Sequence, residues 1–378
     1  MHFIVIGCGL SGSVISRELA ESGHIVEIWD RRNHIGGNMY DSIDEYGIIV
    51  HQYGPHTFHT KNSKLLDYIS KYEEWQEYHL TCGATWMDRC SPTPFNYSTI
   101  DMYYSPDDAE KLKRKLISAY PEAVATVVEL LNSKDEDIRK YAEFLFKMDY
   151  APYTAKQWGV NPSQIDPSIL KRVPIRFSYD EGYFDDPYQV LPIHSYVQFF
   201  KNILNHPNIT VKLNVEALNH MSISDKITVD GHTDDYVVVY TGPLDQMFSY
   251  VYGKLPYRSL RFEWKHEDTD SFQKYPVVAY PQEPTFTRIT EYSKLPVQTG
   301  KGTTYAIEYS LPTDEMAEPY YPVLTDESIA TYSKYAKLAD SINNLYYCGR
   351  LADFKYYNMD QALQRALELT SDILKDYP

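Results

Sequence analysis

The spacing of hydrophobic residues along the chain alternates between the period of a strand and the period of a helix. Short, continuous apolar runs predict buried strands at 3–6, 25–29, 209–213, 236–240 and 345–348. Apolar residues three and four positions apart predict helices at 13–22, 63–72, 195–204 and 359–374. Strands that alternate with helices in this way are typical of a doubly wound α/β fold with a parallel sheet.

Two longer regions have patterns of their own. The helical period dominates from Ser105 to Tyr150, and this region opens with a capping serine, a proline and two acidic residues. Residues 258–310 alternate in the manner of strands, and strand-like stretches are also predicted at 172–177 and 180–184. Turns are predicted around Cys82-Gly83 and at 92–94. We therefore expect a helical insertion and an antiparallel sheet beside the α/β unit.

The first predicted strand leads directly into the glycine-rich segment Gly7-Cys8-Gly9-Leu10-Ser11-Gly12. Strand, G-x-G-x-x-G and helix in this order are typical of a dinucleotide-binding turn, in which the helix N-terminus faces the phosphates. Asp30 ends the second strand, eighteen residues after Gly12, at the distance expected of an acid that accepts from a ribose hydroxyl. The alternative, a turn that binds nothing, explains this agreement less well.

A second pair of glycines, Gly36-Gly37, follows the second strand and favours FAD over NAD as the cofactor, because flavin enzymes use such a pair where the backbone passes close to the cofactor. The closing strand, Gly349 and the last helix would bring a helix dipole to the flavin ring. The residues expected to bind FAD are Gly7, Gly9, Leu10, Ser11, Gly12, Asp30, Arg31, Gly36, Gly37, Asn38, His56, Thr241, Gly349, Arg350, Tyr356, Asn358 and Met359.

These patterns predict an α/β fold with three units: a Rossmann-like FAD-binding domain, a helical insertion and an antiparallel β-sheet substrate domain. The FAD-binding domain is expected to consist of 1–80, 205–250 and 335–378. The insertion is expected at 105–165, and the substrate domain at 81–104, 166–204 and 251–334.

Charge and composition narrow the set of partners. The net charge of -16 argues against nucleic acid, so an anionic substrate would need a local basic pocket. Four cysteines without metal-ligand spacing predict reduced thiols in a cytoplasmic protein. No apolar run predicts membrane insertion. The 36 tyrosines suit a pocket that stacks a base and donates hydroxyls to phosphate, although they suit an aromatic core equally well.

Three histidines, His51, His56 and His59, fall within nine residues. No carboxylate nearby completes a metal-ligand set, so no metal site is predicted. A loop against the flavin or the substrate is the preferred interpretation for His56 and His59, and structural histidines are the alternative.

Eight motifs, spread over nearly the whole chain, resemble the UDP-galactopyranose mutase family of the prokaryotic type. They are RNHIGGN at 32–38, YGPHTFHT at 53–60, YTAKQWG at 153–159, LKRVPIRF at 170–177, YTGPLD at 240–245, TRITE at 287–291, PYYP at 319–322, and GRL with YYNM at 349–351 and 356–359. The resemblance implies an FAD enzyme, active in the reduced form, that interconverts the pyranose and furanose forms of UDP-galactose through a covalent adduct between reduced flavin and sugar.

The resemblance also implies partners and site residues. An external reductant such as NAD(P)H, a homodimer and a role in cell-surface polysaccharide synthesis are expected. Arg172 and Arg288 match diphosphate-binding arginines, and they are expected to act in catalysis together with His56 and His59. The expected substrate-binding residues are Arg172, Arg288, Tyr153, Trp158, Tyr183, Tyr321, Tyr356, Phe95 and Asn96. Tyr183 matches the ring that stacks on uracil, and the segment after Trp158 is a candidate lid.

Several positions depart from the family pattern. Val190 and Ser195 replace two glycines, Ala279 replaces an asparagine expected at the sugar, and Asn358 replaces an aspartate. Asp149-Tyr150 stands in place of an aromatic pair, and Thr93 opens a segment that usually begins with leucine. We therefore keep open a different sugar nucleotide, such as a thymidine-linked deoxy sugar like dTDP-fucose.

Two other readings remain. An FAD amine oxidase or dehydrogenase would require an electron acceptor, and a silent flavoprotein would bind a nucleotide sugar without turning it over.

Overall fold

The computed structural model describes residues 1–159, 173–231, 236–313 and 318–378. Its helices are α1 Leu10–Glu21, α2 Ser63–Ile69, α3 Tyr97–Tyr103, α4 Pro106–Ala119, α5 Val127–Leu131, α6 Glu136–Leu145, α7 Ala151–Trp158, α8 Tyr196–Leu204, α9 Leu244–Met247, α10 Asp326–Asp340 and α11 Met359–Asp376. A π-helical turn, Phe146–Tyr150, joins α6 to α7.

The strands in the described residues form two large sheets and several small ones. They are β1 His2–Ile6, β2 Ile25–Asp30, β3 Asp41–Ile43, β4 Ile49–His51, β5 Phe58–Thr60, β6 Trp75–Glu77, β7 Cys82–Trp86, β8 Arg89–Thr93, β9 Val124–Ala125, β10 Ile175–Arg176, β11 Tyr188–Pro192, β12 Ile209–Leu213, β13 Met221–Ile223, β14 Ile227–Val229, β15 Tyr236–Tyr240, β16 Tyr257–Glu267, β17 Val277–Ala279, β18 Arg288–Glu291, β19 Thr303–Pro312, β20 Tyr321–Pro322 and β21 Leu345–Tyr347.

The first large sheet is parallel and has the strand order β12-β2-β1-β15-β21. Its strands come from distant parts of the chain, and each is one of the apolar runs predicted to be a buried strand. Apart from His2 at the start of β1, the central strands β1 and β15 consist of apolar and aromatic residues, as expected where helices cover both faces of a parallel sheet. Helix α1 begins at Leu10, three residues earlier than expected, because Gly9 already serves as its N-cap.

The second large sheet has the order β20-β16-β19-β18-β17-β7-β8 and is antiparallel except for the pair β17–β7. The turn predicted at Cys82-Gly83 is wrong, because both residues belong to β7. Gly83 lies in this strand beneath Tyr275, where a Cβ would come within 2.5 Å of the ring. Glycine therefore marks a close approach of side chain to backbone here, and the chain reverses at Met87 and Asp88 instead.

The predicted helical insertion is present as several short helices, α3 to α7, around its own apolar core. The short strand β9 interrupts the helical pattern and pairs with β10, which the sequence placed in the longer strand 172–177. Of that stretch, residues 173–177 are described, and only Ile175–Arg176 is a strand. The strand predicted at 180–184 is a loop that makes a single bridge, between Thr81 and Gly182.

The predicted fold class is confirmed: a Rossmann-like α/β unit with a helical insertion and an antiparallel sheet. The two lost glycines need no compensation. Val190 belongs to β11 and pairs with β5 on one side and β6 on the other. Ser195 has an extended backbone with a φ of -176°, and its hydroxyl caps α8 by accepting from Gln198 N at 2.9 Å. No helix in the described ranges is long and apolar enough to cross a membrane.

Candidate active site

A deep cavity opens at the carboxyl ends of the parallel strands, between the N-termini of α1 and α11. Sixteen of the seventeen residues predicted to bind FAD line it, and Tyr356 is the exception. The other lining residues include several that sequence reasoning missed. They are Arg32, Met39, Val215, Glu216, Ala217, Leu218, Gln246, Glu318, Pro319 and Tyr320. Residues 215–218 follow β12 at the same sheet edge, so the rule that ligands bind where parallel strands end could have found them.

Glycine is required at three points of the cavity floor. A Cβ on Gly12 would lie 2.0 Å from the carbonyl oxygen of Gly7, and Gly7 itself has a φ of +102°. Gly37 has a φ of +55°, and its Cβ would lie 2.8 Å from the Cα of Gly9. The two glycine motifs therefore pack backbone against backbone, which leaves the N–H groups at the start of α1 accessible to an anion.

Asp30 joins the first glycine turn to the loop after β2. One carboxylate oxygen accepts from Cys8 N at 2.8 Å, and the other accepts from Arg32 N at 2.8 Å. Each oxygen has a second lone pair, so Asp30 can still accept from a ribose hydroxyl, and that role stays a prediction. These features together fit a dinucleotide: two helix N-termini for the negative charge, a bare glycine floor, and an acid at the end of β2.

A second cluster lies beside the cavity, on the antiparallel sheet. Arg288 stands in register with Glu308, its Nε donates to Glu308 Oε2 at 2.8 Å, and its Nη2 lies 2.8 Å from the same oxygen in an ion pair. Nη1 has no hydrogen-bond partner among the described residues. The rings of Tyr321 and Tyr356 meet edge-on, 5.7 Å apart, and the charge of Arg288 acts on Tyr153 and Tyr321. The cluster thus combines one oriented guanidinium with three phenol groups.

Burial raises the pKa of Tyr153 and that of Tyr321 above the ordinary value of a phenol, and Arg288 opposes the shift in both. These two tyrosines therefore remain protonated at physiological pH. Each can donate its O–H to an anion held by Arg288.

Two cations hold α7, the helix that carries Tyr153, against the sheet. The ammonium of Lys156 donates to the carbonyl oxygens of Tyr280, Glu283 and Phe286 at 2.5, 2.5 and 2.7 Å. Burial lowers its pKa to about 8. The buried Arg258 donates to the last carbonyls of α7, at Lys156 and Gln157, where the helix dipole is negative. Neither residue was singled out from the sequence as a helix anchor.

His56 connects the cavity with the cluster. It lines the cavity, and the charges of Arg350 and Arg288 both act on it. Burial, followed by the charge of Arg350, lowers its pKa to about 4, so the ring is neutral. Nδ1 lies 2.8 Å from the carbonyl oxygen of Gly54 and must carry the proton, which leaves Nε2 as an acceptor.

His59 does not share this position, which differs from the expectation of a pair at flavin and sugar. Its Nδ1 lies 2.5 Å from Asp186 Oδ2, and its ring stacks on Phe184 at 3.6 Å. Phe184 in turn meets Tyr183 edge-on at 4.9 Å. His59 is thus a support of the loop that carries Tyr183. It lies in β5, whereas His56 lies in the loop before that strand. In the described ranges, no three potential metal ligands converge.

The remaining predicted substrate residues have different outcomes. Phe95 and Asn96 are 1% and 0% exposed, so neither has surface to offer a ligand. Asn96 caps α3 by accepting from Ser98 N and donates to the carbonyl of Asp180. Both residues have structural roles here, and their predicted contact with the substrate stays a prediction. Arg172 and the lid candidate after Trp158 lie outside the described residues, as does the side chain of Trp158.

Comparison with known proteins finds two regions that match family models. Residues 149–356 match the family model described as UDP-galactopyranose mutase, and residues 5–72 match an NAD(P)-binding Rossmann-like domain. The chain is 36% identical to a probable UDP-galactopyranose mutase of Klebsiella pneumoniae, over 99% of this chain and 94% of that one. It is 35% identical to a dTDP-fucopyranose mutase of Escherichia coli, over 99% and 98%.

Solved structures agree at the level of the fold. A crystal structure of reduced UDP-galactopyranose mutase superposes with a TM-score of 0.72 at 16% identity, over 99% of this chain and 94% of that one. A putrescine oxidase superposes with a TM-score of 0.56 at 12% identity, over 99% and 100%, which shows the shared fold alone. The full-length relatives, the family model and the glycine-floored cavity lead to one conclusion: the chain belongs to the UDP-galactopyranose mutase family, FAD-dependent isomerases that interconvert the ring forms of nucleotide sugars.

Proposed function

We propose that the protein interconverts the pyranose and furanose forms of UDP-galactose. The observation that carries this proposal is the position of Arg288, which Glu308 orients and whose charge acts on Tyr153, Tyr321 and Tyr356, beside a cavity suited to FAD. A guanidinium and several phenol donors suit a diphosphate, which has many acceptor oxygens and needs fixed positive charge in an acidic protein. Arg172 belongs to the same proposal by resemblance.

Bound in its reduced form, FAD would supply the nucleophile that attacks the anomeric carbon of the sugar. The chain contributes binding and charge. Arg288 would stabilise the diphosphate as its bond to the sugar breaks, while Tyr153, Tyr321 and Tyr356 donate hydrogen bonds to its oxygens. His56 would accept from a hydroxyl through Nε2, because its lowered pKa keeps this nitrogen unprotonated. Tyr183 would stack on the nucleobase.

A deoxy sugar, such as fucose linked to a thymidine nucleotide, is a second candidate, and Ala279 favours it. Ala279 stands in register with Arg288 across β17 and β18, and with Ala84 across β17 and β7. Residues in register point to the same face of a sheet. Ala84 is fully buried, whereas Ala279 is half-buried, so the face next to Arg288 presents the methyl group of Ala279, which suits a methyl-bearing sugar better than a polar one. The similarity to the E. coli dTDP-fucopyranose mutase supports the same candidate.

Chromatography of the products made by dithionite-reduced protein would test both candidates. UDP-galactofuranose and dTDP-fucofuranose are supplied separately, with oxidised protein as the control. Conversion of UDP-galactofuranose to the pyranose form only by reduced protein would support the first proposal. Turnover of the thymidine-linked sugar alone would favour the second.

The same assay separates the competing classes. Turnover without an electron acceptor argues against an oxidase or a dehydrogenase. UDP binding without turnover of either sugar would indicate a protein that only binds the nucleotide sugar.

We further propose a cytoplasmic homodimer, reduced by NAD(P)H, that supplies furanose sugar for cell-surface polysaccharide. The resemblance of the sequence motifs supports this proposal. Size-exclusion chromatography with light scattering would test the oligomeric state, and anaerobic reduction of the flavin by NADH or NADPH would test the reductant.

A further inference from the structure

The segment 318–321 runs from the cofactor cavity to the tyrosine cluster. Glu318, Pro319 and Tyr320 line the cavity, and the next residue, Tyr321, lies beside Arg288 and Tyr356. Four consecutive residues cannot span more than about 14 Å. Glu318 at the cavity and Tyr321 in the cluster are therefore joined by a short connection.

Glu318 is bound to residues on the other side of the cavity. Its Oε2 accepts from Arg31 Nη2 and, at 3.2 Å, from Arg32 Nη2. Arg32 is itself held in place, because the same nitrogen donates to Asn38 Oδ1 at 3.0 Å and the guanidinium lies 4.4 Å from the centre of the Tyr53 ring. Arg31, Arg32 and Asn38 all line the cavity, so this ion pair connects the loop after β2 with the strand leading to Tyr321.

The middle of the segment is also attached to both sites. Tyr320 N donates to the carbonyl oxygen of Arg258 at 2.9 Å, on strand β16. The carbonyl oxygen of Tyr320 accepts from Nη1 of Arg350, a cavity residue, at 3.5 Å. A contiguous set of hydrogen bonds therefore extends from the cofactor side to the substrate side, and networks of this kind can carry coupling between two sites.

We propose that Glu318, paired with Arg31 and Arg32, is a clasp across the FAD cavity, and that segment 318–321 couples retention of FAD to the position of Tyr321. FAD and the nucleoside diphosphate then favour the binding of one another, because each stabilises the same arrangement of one segment. This inference rests on the proposed function in its assignment of Tyr321 to the diphosphate. Glu318 is a positioning residue and takes no part in the chemistry.

The strength of the clasp is limited by solvent. The side chains of Glu318 and Arg31 are 36% and 42% exposed, whereas that of Arg32 is 16% exposed. Exposed ion pairs are weak and screened by salt, and a mostly buried, pre-oriented arginine strengthens the contact. We therefore expect an effect of about fivefold on the rate of FAD release, and we expect salt to reduce it.

The test measures release of FAD from the holoenzyme, followed by the rise of flavin fluorescence after dilution, with and without saturating UDP. Glu318→Gln keeps the shape of the side chain and removes the charge. Glu263→Gln is the matched control, because Glu263 is 38% exposed, pairs with Lys265 and accepts from Tyr309, on β16 and outside the cavity lining. Thermal melts of both variants establish that they are folded.

Wild type and Glu263→Gln should release FAD slowly, and UDP should slow the release further. Glu318→Gln should release FAD about fivefold faster at low salt, and UDP should no longer change the rate. In 0.5 M NaCl, chosen to be roughly three times physiological ionic strength, wild type should approach the variant.

Release from Glu318→Gln at the wild-type rate would overturn the clasp. An unchanged effect of UDP in this variant would overturn the coupling. If UDP fails to bind wild type at all, the proposed function fails, while the release rate of the variant without UDP still decides the clasp.

Discussion

Replacing Gly37 with alanine should weaken FAD binding and also destabilise the fold. The new Cβ would lie 2.8 Å from the Cα of Gly9 and 3.5 Å from its nitrogen. Carbon atoms in contact need about 3.5–4.0 Å, so the two backbones must separate by about 1 Å. That movement carries the N–H at the start of α1 away from the pyrophosphate.

The magnitude follows from one lost charge-assisted hydrogen bond, worth about 1.5–3 kcal/mol. The dissociation constant of FAD should therefore rise about 10- to 100-fold. The φ of +55° at Gly37 should cost the fold a further 1–2 kcal/mol or so, because side chains rarely adopt this region.

The assay titrates apoprotein with FAD and follows quenching of flavin fluorescence, and urea unfolding measures stability in parallel. Gly23→Ala is the matched control, because Gly23 has a φ of +90°, has nothing within 4 Å of its Cβ position and is absent from the cavity lining. It should lose stability and keep its affinity for FAD. If Gly37→Ala binds FAD as tightly as Gly23→Ala, the close approach of the two glycine motifs is not what admits the cofactor.

Three further predictions concern the substrate cluster and its surroundings. Arg288→Lys keeps the positive charge but loses the planar guanidinium that holds Glu308. Calorimetry should therefore show that UDP binds this variant at least tenfold more weakly, and an unchanged affinity would remove Arg288 from the diphosphate site. Tyr153→Phe removes one hydrogen-bond donor and keeps the ring. The KM for the sugar nucleotide should rise severalfold with little change in melting temperature, and an unchanged KM would contradict the role given to the Tyr153 hydroxyl. Burial raises the pKa of Asp149 from its ordinary 3.8 to about 7, with Lys156 opposing the shift. Between pH 3.8 and about pH 7, Asp149 holds a proton in the folded chain that it has lost in the unfolded chain, so the free energy of unfolding falls as the pH rises. Asp149→Asn should therefore raise the melting temperature at pH 8 but not at pH 4.

Features set by nearby residues could be read from the sequence. The glycine turn, its flanking strand and helix, and the apolar strands of the parallel sheet all follow from patterns within about ten residues of one another, and each is present. The same holds for the start of α4, where Ser105 caps the helix by accepting from Asp108 N. Most of the cofactor cavity was predictable because one motif supplies its floor and a known topology supplies its position.

Other features depend on which distant residues the fold brings together. Nothing in the motif of His56 and His59 indicates that one lines the cavity while the other pairs with Asp186, because Asp186 is 127 residues away from His59 along the chain. The burial of Asn96 depends on a carbonyl 84 residues away, at Asp180.

For the same reason, only the folded chain shows that Ala279 lies beside Arg288 and that Glu318 pairs with Arg31. Hydrophobic periodicity and turn chemistry act locally and so determine the elements and the cofactor turn. Register between strands and contacts between loops are set by packing of the whole molecule, where a shift of one residue moves every side chain to the opposite face. The sequence therefore determined the elements and the kind of cofactor, whereas the tertiary structure decided which distant side chains lie together beside the cofactor cavity.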